Sequence, residues 1–216
     1  MTNEIGENVT IALEGAVLKG TLRVPDDAEG VVVFACANCQ RSCKADFLAN
    51  LLPQNSLATV RVDLLTSSED ALYEDRLDLE MLTNRLAAVV RWTRTQLGLG
   101  QLPLGLFGVG TSGSSALKLA ASPESPVAAV VVWDGRPDLA GKFLAAVKPP
   151  TLFIVGEKDD LVRGLNQVAF DKLGGEKELV VIAGATHKFE DFGAMEAVGE
   201  RAADWFSSHL ALAKSR

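Results

Sequence analysis

Hydrophobic residues alternate with polar ones near the start of the chain and form continuous runs further along it. Residues 9–13 and 16–24 alternate around Glu14-Gly15, which predicts an antiparallel hairpin at the edge of a sheet. The later apolar runs predict strands that are buried on both faces. These runs cover residues 31–36, 57–65, 102–109, 127–133, 151–155 and 178–183.

The segments between these runs carry apolar residues at helical spacing. The predicted helices cover residues 45–52, 69–97, 112–119, 138–147, 165–173 and 194–213. A hairpin followed by about six alternations of strand and helix predicts an α/β fold with a mostly parallel sheet and helices on both faces. Ligands bind at the carboxyl ends of the strands in such sheets.

The central turn lies in residues 102–119, LPLGLFGVGTSGSSALKL, where a strand pattern breaks into a helix pattern. Such a turn presents backbone N–H groups that stabilise an anion or an oxyanion. GVGTSG matches the G-x-G-x-x-G dinucleotide fingerprint, with Asp134 at the distance of a ribose-binding acid. The turn also suits a nucleophile elbow, G-x-S-x-G, in one of two registers. A first glycine at Gly108 places Gly110 at the nucleophile position, and a first glycine at Gly110 places Ser112 there.

Two buried strands and a long helix precede this turn, whereas a dinucleotide fingerprint opens its domain. We therefore expect no nucleotide cofactor.

The 216 residues, 48% of them hydrophobic, predict one globular domain over residues 1–216. A net charge of −7 without a basic cluster argues against nucleic-acid and membrane partners. No run reaches membrane-spanning length and no signal peptide is evident, so we expect a cytoplasmic protein.

All three cysteines, Cys36, Cys39 and Cys43, lie in one short segment. An odd number of cysteines without a signal peptide does not indicate a disulfide framework. Three alternatives stay open: buried thiols that only pack, a nucleophilic thiolate, and thiolate ligands for a metal or an iron–sulfur cluster.

The chain has only two histidines. His187 follows the last predicted strand, at the sheet edge where a general base would act. His209 lies inside the final helix pattern, where packing is the simpler role.

Several segments in chain order resemble the dienelactone hydrolase-like α/β-hydrolases. TLFIVGEKDD and GATHKF resemble the acid and base segments of that family, GLFGVGTSGSSALKLAA resembles its elbow, and WDGRPDLA resembles the strand that follows. The resemblance extends from about residue 31 onward. It implies an α/β-hydrolase fold and a cytoplasmic hydrolase without a cofactor, in which nucleophile, acid and base follow in that order.

Carried over by position, the resemblance makes Asp159 the acid, with Asp160 as the adjacent alternative, and His187 the base. Gly108, Gly110 and Thr111 correspond to the elbow and its oxyanion-binding turn. The sequence departs from the family at two positions. Gly110 stands where the nucleophile belongs, and Cys36-Ala37 replace a His-Gly pair that shapes the oxyanion hole.

The first functional hypothesis is a hydrolase for a small ester or lactone with a non-standard nucleophile. Ser112 or Cys36 would attack, His187 would take the proton, and Asp159 would orient the imidazole. Arg136 would attract a substrate carboxylate.

The alternative is a family member that has been repurposed or does not hydrolyse its ligand. It would bind a small molecule, or hold a metal or cluster through Cys36, Cys39 and Cys43 with His187 as a fourth ligand. Under both hypotheses the expected partner is a small-molecule substrate or ligand. A homodimer is left open.

Overall fold

A computed structural model describes residues 6–37 and 43–214, with the side chain of Cys43 excluded. Its eight strands form one sheet in the order β1-β2-β4-β3-β5-β6-β7-β8. The strands are β1 (Glu7–Leu13), β2 (Ala16–Arg23), β3 (Gly30–Cys36), β4 (Leu57–Asp63), β5 (Leu104–Val109), β6 (Val127–Trp133), β7 (Thr151–Gly156) and β8 (Lys177–Ile182).

The predicted hairpin is confirmed at one edge of this sheet. β1 and β2 pair antiparallel, and Leu13 lies opposite Ala16 beside the turn. Gly15 in that turn has φ +78°, a left-handed conformation that glycine adopts without steric cost. β2 pairs antiparallel with β4, and every pair from β4 to β8 is parallel. The carboxyl ends of these parallel strands therefore meet at one edge, as the sequence predicted.

Helices cover both faces of the sheet because the parallel strands are apolar on both sides. The helices are α1 (Cys43–Leu51), α2 (Ser67–Asp70), α3 (Tyr73–Leu77), α4 (Leu79–Thr95), α5 (Ser112–Ala120), α6 (Asp160–Lys172) and α7 (Ala194–Lys214), with 3₁₀ helices at Leu52–Asn55 and Pro137–Ala146. Buried side chains from α4, α5 and α6 share one core cluster, and those from α1 and α7 share the other. The predicted fold class is confirmed. None of the helices in the described ranges is long and apolar enough to cross a membrane.

The single helix predicted over residues 69–97 is wrong, because the range contains the end of α2 and the separate helices α3 and α4. Thr66 and Glu69 form a reciprocal capping box that starts α2. Asp78 then accepts a hydrogen bond from the Met81 N–H at 2.9 Å and starts α4. The apolar periodicity is continuous, but the backbone is interrupted between these caps.

Two further helices differ from their predicted form. The segment predicted as a helix over 138–147 is the 3₁₀ helix Pro137–Ala146, kinked at Gly141 with φ +43°. The helix predicted over 165–173 begins earlier, at Asp160, because Asp159 caps its first turn. This second difference matters for the site, since Asp159 is the acid that the family resemblance implied.

Candidate active site

A tight turn connects β5 to α5 at the carboxyl edge of the sheet. A Cβ atom at Gly108 would lie 2.5 Å from the Gly113 Cα atom, so no side chain fits there and the strand packs directly against the helix. Gly110 at the apex of the turn has φ +58°. This combination is the strained strand-to-helix geometry of a nucleophile elbow.

Gly110 has room for a side chain that it does not carry. A Cβ atom built at this position meets no atom within 4 Å. The Gly110 N–H donates to the Trp133 carbonyl at 3.2 Å, and the Gly110 carbonyl accepts from the Arg136 N–H at 3.2 Å. These two hydrogen bonds connect the elbow to the turn after β6. Thr111 follows as the N-cap of α5. The Gly113 and Ser114 N–H groups donate to the carbonyls of Gly110 and Thr111, so the N–H groups that face outward at this helix start are the earlier ones.

His187 lies beside two carboxylates at the ends of β6 and β7. Its Nδ1 atom is 2.7 Å from Oδ2 of Asp134 and 3.4 Å from Oδ2 of Asp159. The His187 side chain is 68% exposed, while those of Asp134 and Asp159 are only 11% and 14% exposed. Because Nδ1 faces the carboxylates, Nε2 lies on the opposite side of the ring. We call Asp134, Asp159 and His187 the carboxylate–histidine cluster.

Asp134 is the most perturbed group of this cluster. Burial raises its pKa from 3.8 to about 6, opposed by the nearby His187 and Lys44 charges and reinforced by Asp159. Its Oδ1 atom is buried without a hydrogen-bond partner in the described part of the chain. Asp134 also has φ +48°, which is uncommon for a residue with a side chain. Strain of this kind concentrates at functional sites.

The structure brings together two of the predicted catalytic residues, His187 and Asp159. The alternative acid Asp160 points elsewhere, since its carboxylate pairs with Arg163 at 2.6 Å and is 85% exposed. The sequence pattern indicates only a ribose-binding role for Asp134. Its position at the end of β6, beside the elbow strand, was the signal that could have linked it to His187.

Ser112 does not reach His187. It is the first residue of α5 and is fully buried, and its Oγ atom has no hydrogen-bond partner among the described residues. Ser112 lies two residues after Gly110, and the rotation of the helix over those two residues directs its side chain toward the core. The displaced-serine hypothesis therefore lacks the contact between nucleophile and base that it requires.

Cys36 lies at the end of β3, where it packs with Ala45 and Val109. It is disulfide-bonded in this structure, which corrects the expectation of free thiols. Its sulfur is consequently neither a thiolate nucleophile nor a thiolate ligand here. The predictions for Cys39 and for the Cys43 side chain lie outside the described residues.

Arg136 borders the elbow, but its guanidinium is already paired. Nε and an NH2 nitrogen donate to the two carboxylate oxygens of Asp138, each at 2.9 Å. This hydrogen bonding raises the pKa of Arg136 and offsets its charge. Its backbone also serves the turn, because the Ser114 hydroxyl donates to the Arg136 carbonyl.

Among the described residues, the carboxylate–histidine cluster is also the group that could hold a metal ion. Its three ligand atoms lie within 4.8 Å of one another. Hydrogen bonding from His187 to the carboxylates explains this proximity equally well. Chemically, the site combines an imidazole held by carboxylates, a set of N–H groups at a helix start, and open space at the elbow apex.

Solved structures of nearly the same extent as this chain share its fold. A dienelactone hydrolase from Anabaena variabilis is 38% identical, with a TM-score of 0.88, and the match covers 96% of this chain and 99% of that one. Est1E from Butyrivibrio proteoclasticus is 16% identical with a TM-score of 0.77, covering 94% and 99%, and shares the fold. No protein-family model matches the chain.

Two Mycobacterium tuberculosis proteins, from strains CDC 1551 and H37Rv, are 41% identical over 206 residues. Both carry the name "Putative phosphoribosyl transferase". The match covers 94% of this chain but 46% of each relative, so the chain spans about half their length.

Proposed function

Because the chain belongs to the dienelactone hydrolase family of α/β-hydrolases, we propose that it hydrolyses a small ester or lactone with water as the direct nucleophile. No side chain forms an acyl-enzyme in this mechanism. His187 acts as the general base, and the elbow supplies the oxyanion hole. The proposal keeps His187 as the base and a non-standard nucleophile, as the sequence suggested, but replaces Ser112 and Cys36 by a water molecule.

The observation that carries the proposal is the open space at Gly110. The elbow keeps its left-handed backbone at φ +58°, and a Cβ there would meet nothing within 4 Å. This space lies beside the turn after β6, since Gly110 is hydrogen-bonded to Trp133 and Asp134 contacts His187. A water molecule needs such a space and a basic partner.

The reaction proceeds in two steps. Nε2 of His187 takes a proton from water as the water oxygen bonds to the acyl carbon, and the carbonyl oxygen becomes an oxyanion. The Thr111 N–H and the start of α5 stabilise that oxyanion. The carbonyl then re-forms, the alkoxide leaves, and the imidazolium returns the proton to it. The products are a carboxylic acid and an alcohol, joined in one hydroxy acid when the substrate is a lactone.

The transferase name of the Mycobacterium tuberculosis relatives does not change this proposal. Those proteins have more than half of their length outside the match. The carboxylate–histidine cluster suits proton transfer at an acyl group, which is the chemistry of the relative that matches along its whole length. We place the activity in the cytoplasm, as the sequence suggested.

A steady-state assay with p-nitrophenyl acetate and the lactone dihydrocoumarin tests the proposal. The wild-type protein should hydrolyse at least one of them, and His187→Ala should lower kcat by about 10²- to 10⁴-fold, the range expected for a general base. His209→Gln is the matched control, because His209 packs on Trp205 in α7 and should leave the rate unchanged. Equal rates for the wild type and His187→Ala would contradict the proposal.

A further inference from the structure

We infer that Asp134, at the end of β6, is the residue that positions His187, in place of the family acid Asp159 at the end of β7. The inference rests on the proposed function for its effect on rate. Which of the two carboxylates holds the His187 imidazole can be tested without any substrate.

The distances favour Asp134. Nδ1 of His187 lies 2.7 Å from Asp134 Oδ2 but 3.4 Å from Asp159 Oδ2. Hydrogen bonds from N–H to oxygen in proteins span about 2.7 to 3.2 Å. Only the contact with Asp134 falls within that range, so the Nδ1–H proton is directed at Asp134.

Asp159 has a different structural role. Its Oδ1 atom accepts a hydrogen bond from the Val162 N–H at 3.1 Å, and its carbonyl accepts from the Arg163 N–H at 2.9 Å. Asp159 is thus the N-cap of α6, where a carboxylate satisfies otherwise unpaired N–H groups. Its position is set by the helix start, and its distance from His187 follows from that.

Asp134 is held in place by β7, and the residue before it is hydrogen-bonded to the elbow. Its own N–H donates to the Ile154 carbonyl at 2.9 Å, and the residue before it accepts from Gly110. The left-handed backbone at φ +48° directs the side chain out of the strand end. A residue with a side chain keeps such a conformation only when its surroundings fix it. The positioning carboxylate and the oxyanion-binding turn therefore belong to one hydrogen-bonded unit.

The charged groups facing Asp134 are His187, Asp159 and Lys44. Burial and Asp159 favour the neutral acid, whereas His187 and Lys44 favour the carboxylate. With a pKa of about 6, Asp134 is ionised at neutral pH and can accept a hydrogen bond from the His187 Nδ1–H. Below that pH it becomes protonated and its hold on the imidazole weakens.

Asparagine substitutions at the two acids make a matched pair. Asn tolerates the left-handed conformation at position 134 and is also a good N-cap at position 159. Each change therefore removes a charge and keeps the backbone. Asp171→Asn, on the exposed surface of α6, is the control for removing a charge.

Proton NMR of the nitrogen-15-labelled protein detects the imidazole N–H groups and gives a readout that does not depend on activity. The chain has only two histidines, so His209→Gln assigns the spectrum directly. We expect the low-field Nδ1–H signal of His187 to disappear in Asp134→Asn and to persist in Asp159→Asn and Asp171→Asn. We also expect kcat to fall by about 100-fold or more in Asp134→Asn, with KM little changed, and by less than about fivefold in Asp159→Asn.

Loss of the signal in Asp159→Asn with retention in Asp134→Asn would overturn the inference, as would equal loss in both. Loss confined to Asp134→Asn supports it even if no variant, nor the wild type, hydrolyses an ester. In that case the proposed function fails and the positioning of His187 by Asp134 stands.

Discussion

The elbow after β5 and the carboxylate–histidine cluster differ in what they retain. The elbow has the backbone of a nucleophile site, with Gly110 at φ +58°, but no side chain at its apex. The cluster has two carboxylates within 3.4 Å of Nδ1 of His187, although one is enough to orient an imidazole. Backbone geometry and side-chain chemistry are thus separable in this site. In the proposed mechanism, His187 and its carboxylates serve proton transfer. Gly110 leaves open space at the position where a covalent nucleophile would stand.

Restoring a side chain at the apex should produce the largest change. Gly110→Ser places a hydroxyl in the open space beside the turn that carries Asp134. We expect labelling by a fluorophosphonate to rise from none in the wild type to about one label per chain. The left-handed backbone should cost about 1–2 kcal/mol of stability.

Gly15→Ser is the matched control for Gly110→Ser. Gly15 also has a positive φ, +78°, and open space at its Cβ, but it lies in the hairpin turn. It should show a similar loss of stability by thermal unfolding and no labelling. A folded but unlabelled Gly110→Ser variant would show that the elbow and His187 are not aligned for catalysis.

A smaller effect concerns the pH dependence of stability. The pKa of Asp134 is raised from 3.8 to about 6 in the folded protein, so between these pH values the folded state binds more protons than the unfolded state. The free energy of unfolding therefore falls as pH rises through this window, by at most about 3 kcal/mol, and the loss is complete about one pH unit above the folded-state pKa. Asp134→Asn abolishes this fall in the free energy of unfolding, because asparagine does not titrate.

Thermal unfolding of Asp134→Asn at two pH values measures this contribution. The Tm difference from the wild type should be several degrees more positive at pH 7.5 than at pH 4. Asp171→Asn should show the same difference at both. A Tm difference for Asp134→Asn that does not change with pH would mean that Asp134 is not a buried charge.

The smallest expected effect is that of Ser112→Ala. The Ser112 hydroxyl is buried without a partner in the described ranges, so its loss removes an unsatisfied group. We expect kcat to stay within about twofold and stability to change by less than about 1 kcal/mol. A 100-fold loss of activity would identify Ser112 as the nucleophile after all.

The sequence was sufficient to predict the fold because each parallel strand is apolar on both faces and is followed by a helix. The boundaries of β3, β5, β6 and β7 agree with the hydrophobic runs to within a few residues. The helix predicted over 69–97 was wrong because the apolar periodicity indicates only which side of a segment is buried. It does not report where Thr66 and Asp78 cap the backbone.

The site was predictable only in part. His187 and Asp159 came from motifs whose order along the chain resembles a family, and the structure places them together. The role of Asp134 depends on a left-handed backbone and on pairing between β5, β6 and β7, neither of which is visible in spacing along the chain. The disulfide at Cys36 likewise contradicted an argument from cysteine count.

Mass spectrometry of the intact protein distinguishes direct attack by water from attack through an acyl-enzyme. The wild type is mixed with p-nitrophenyl acetate and quenched with acid during turnover, and Gly110→Ser serves as the positive control. We expect turnover by the wild type with no acetylated protein at any quench time, and accumulation of the acetyl adduct in Gly110→Ser. An acetyl adduct on wild-type Ser112 or on a cysteine, formed and lost at the rate of turnover, would contradict direct attack by water.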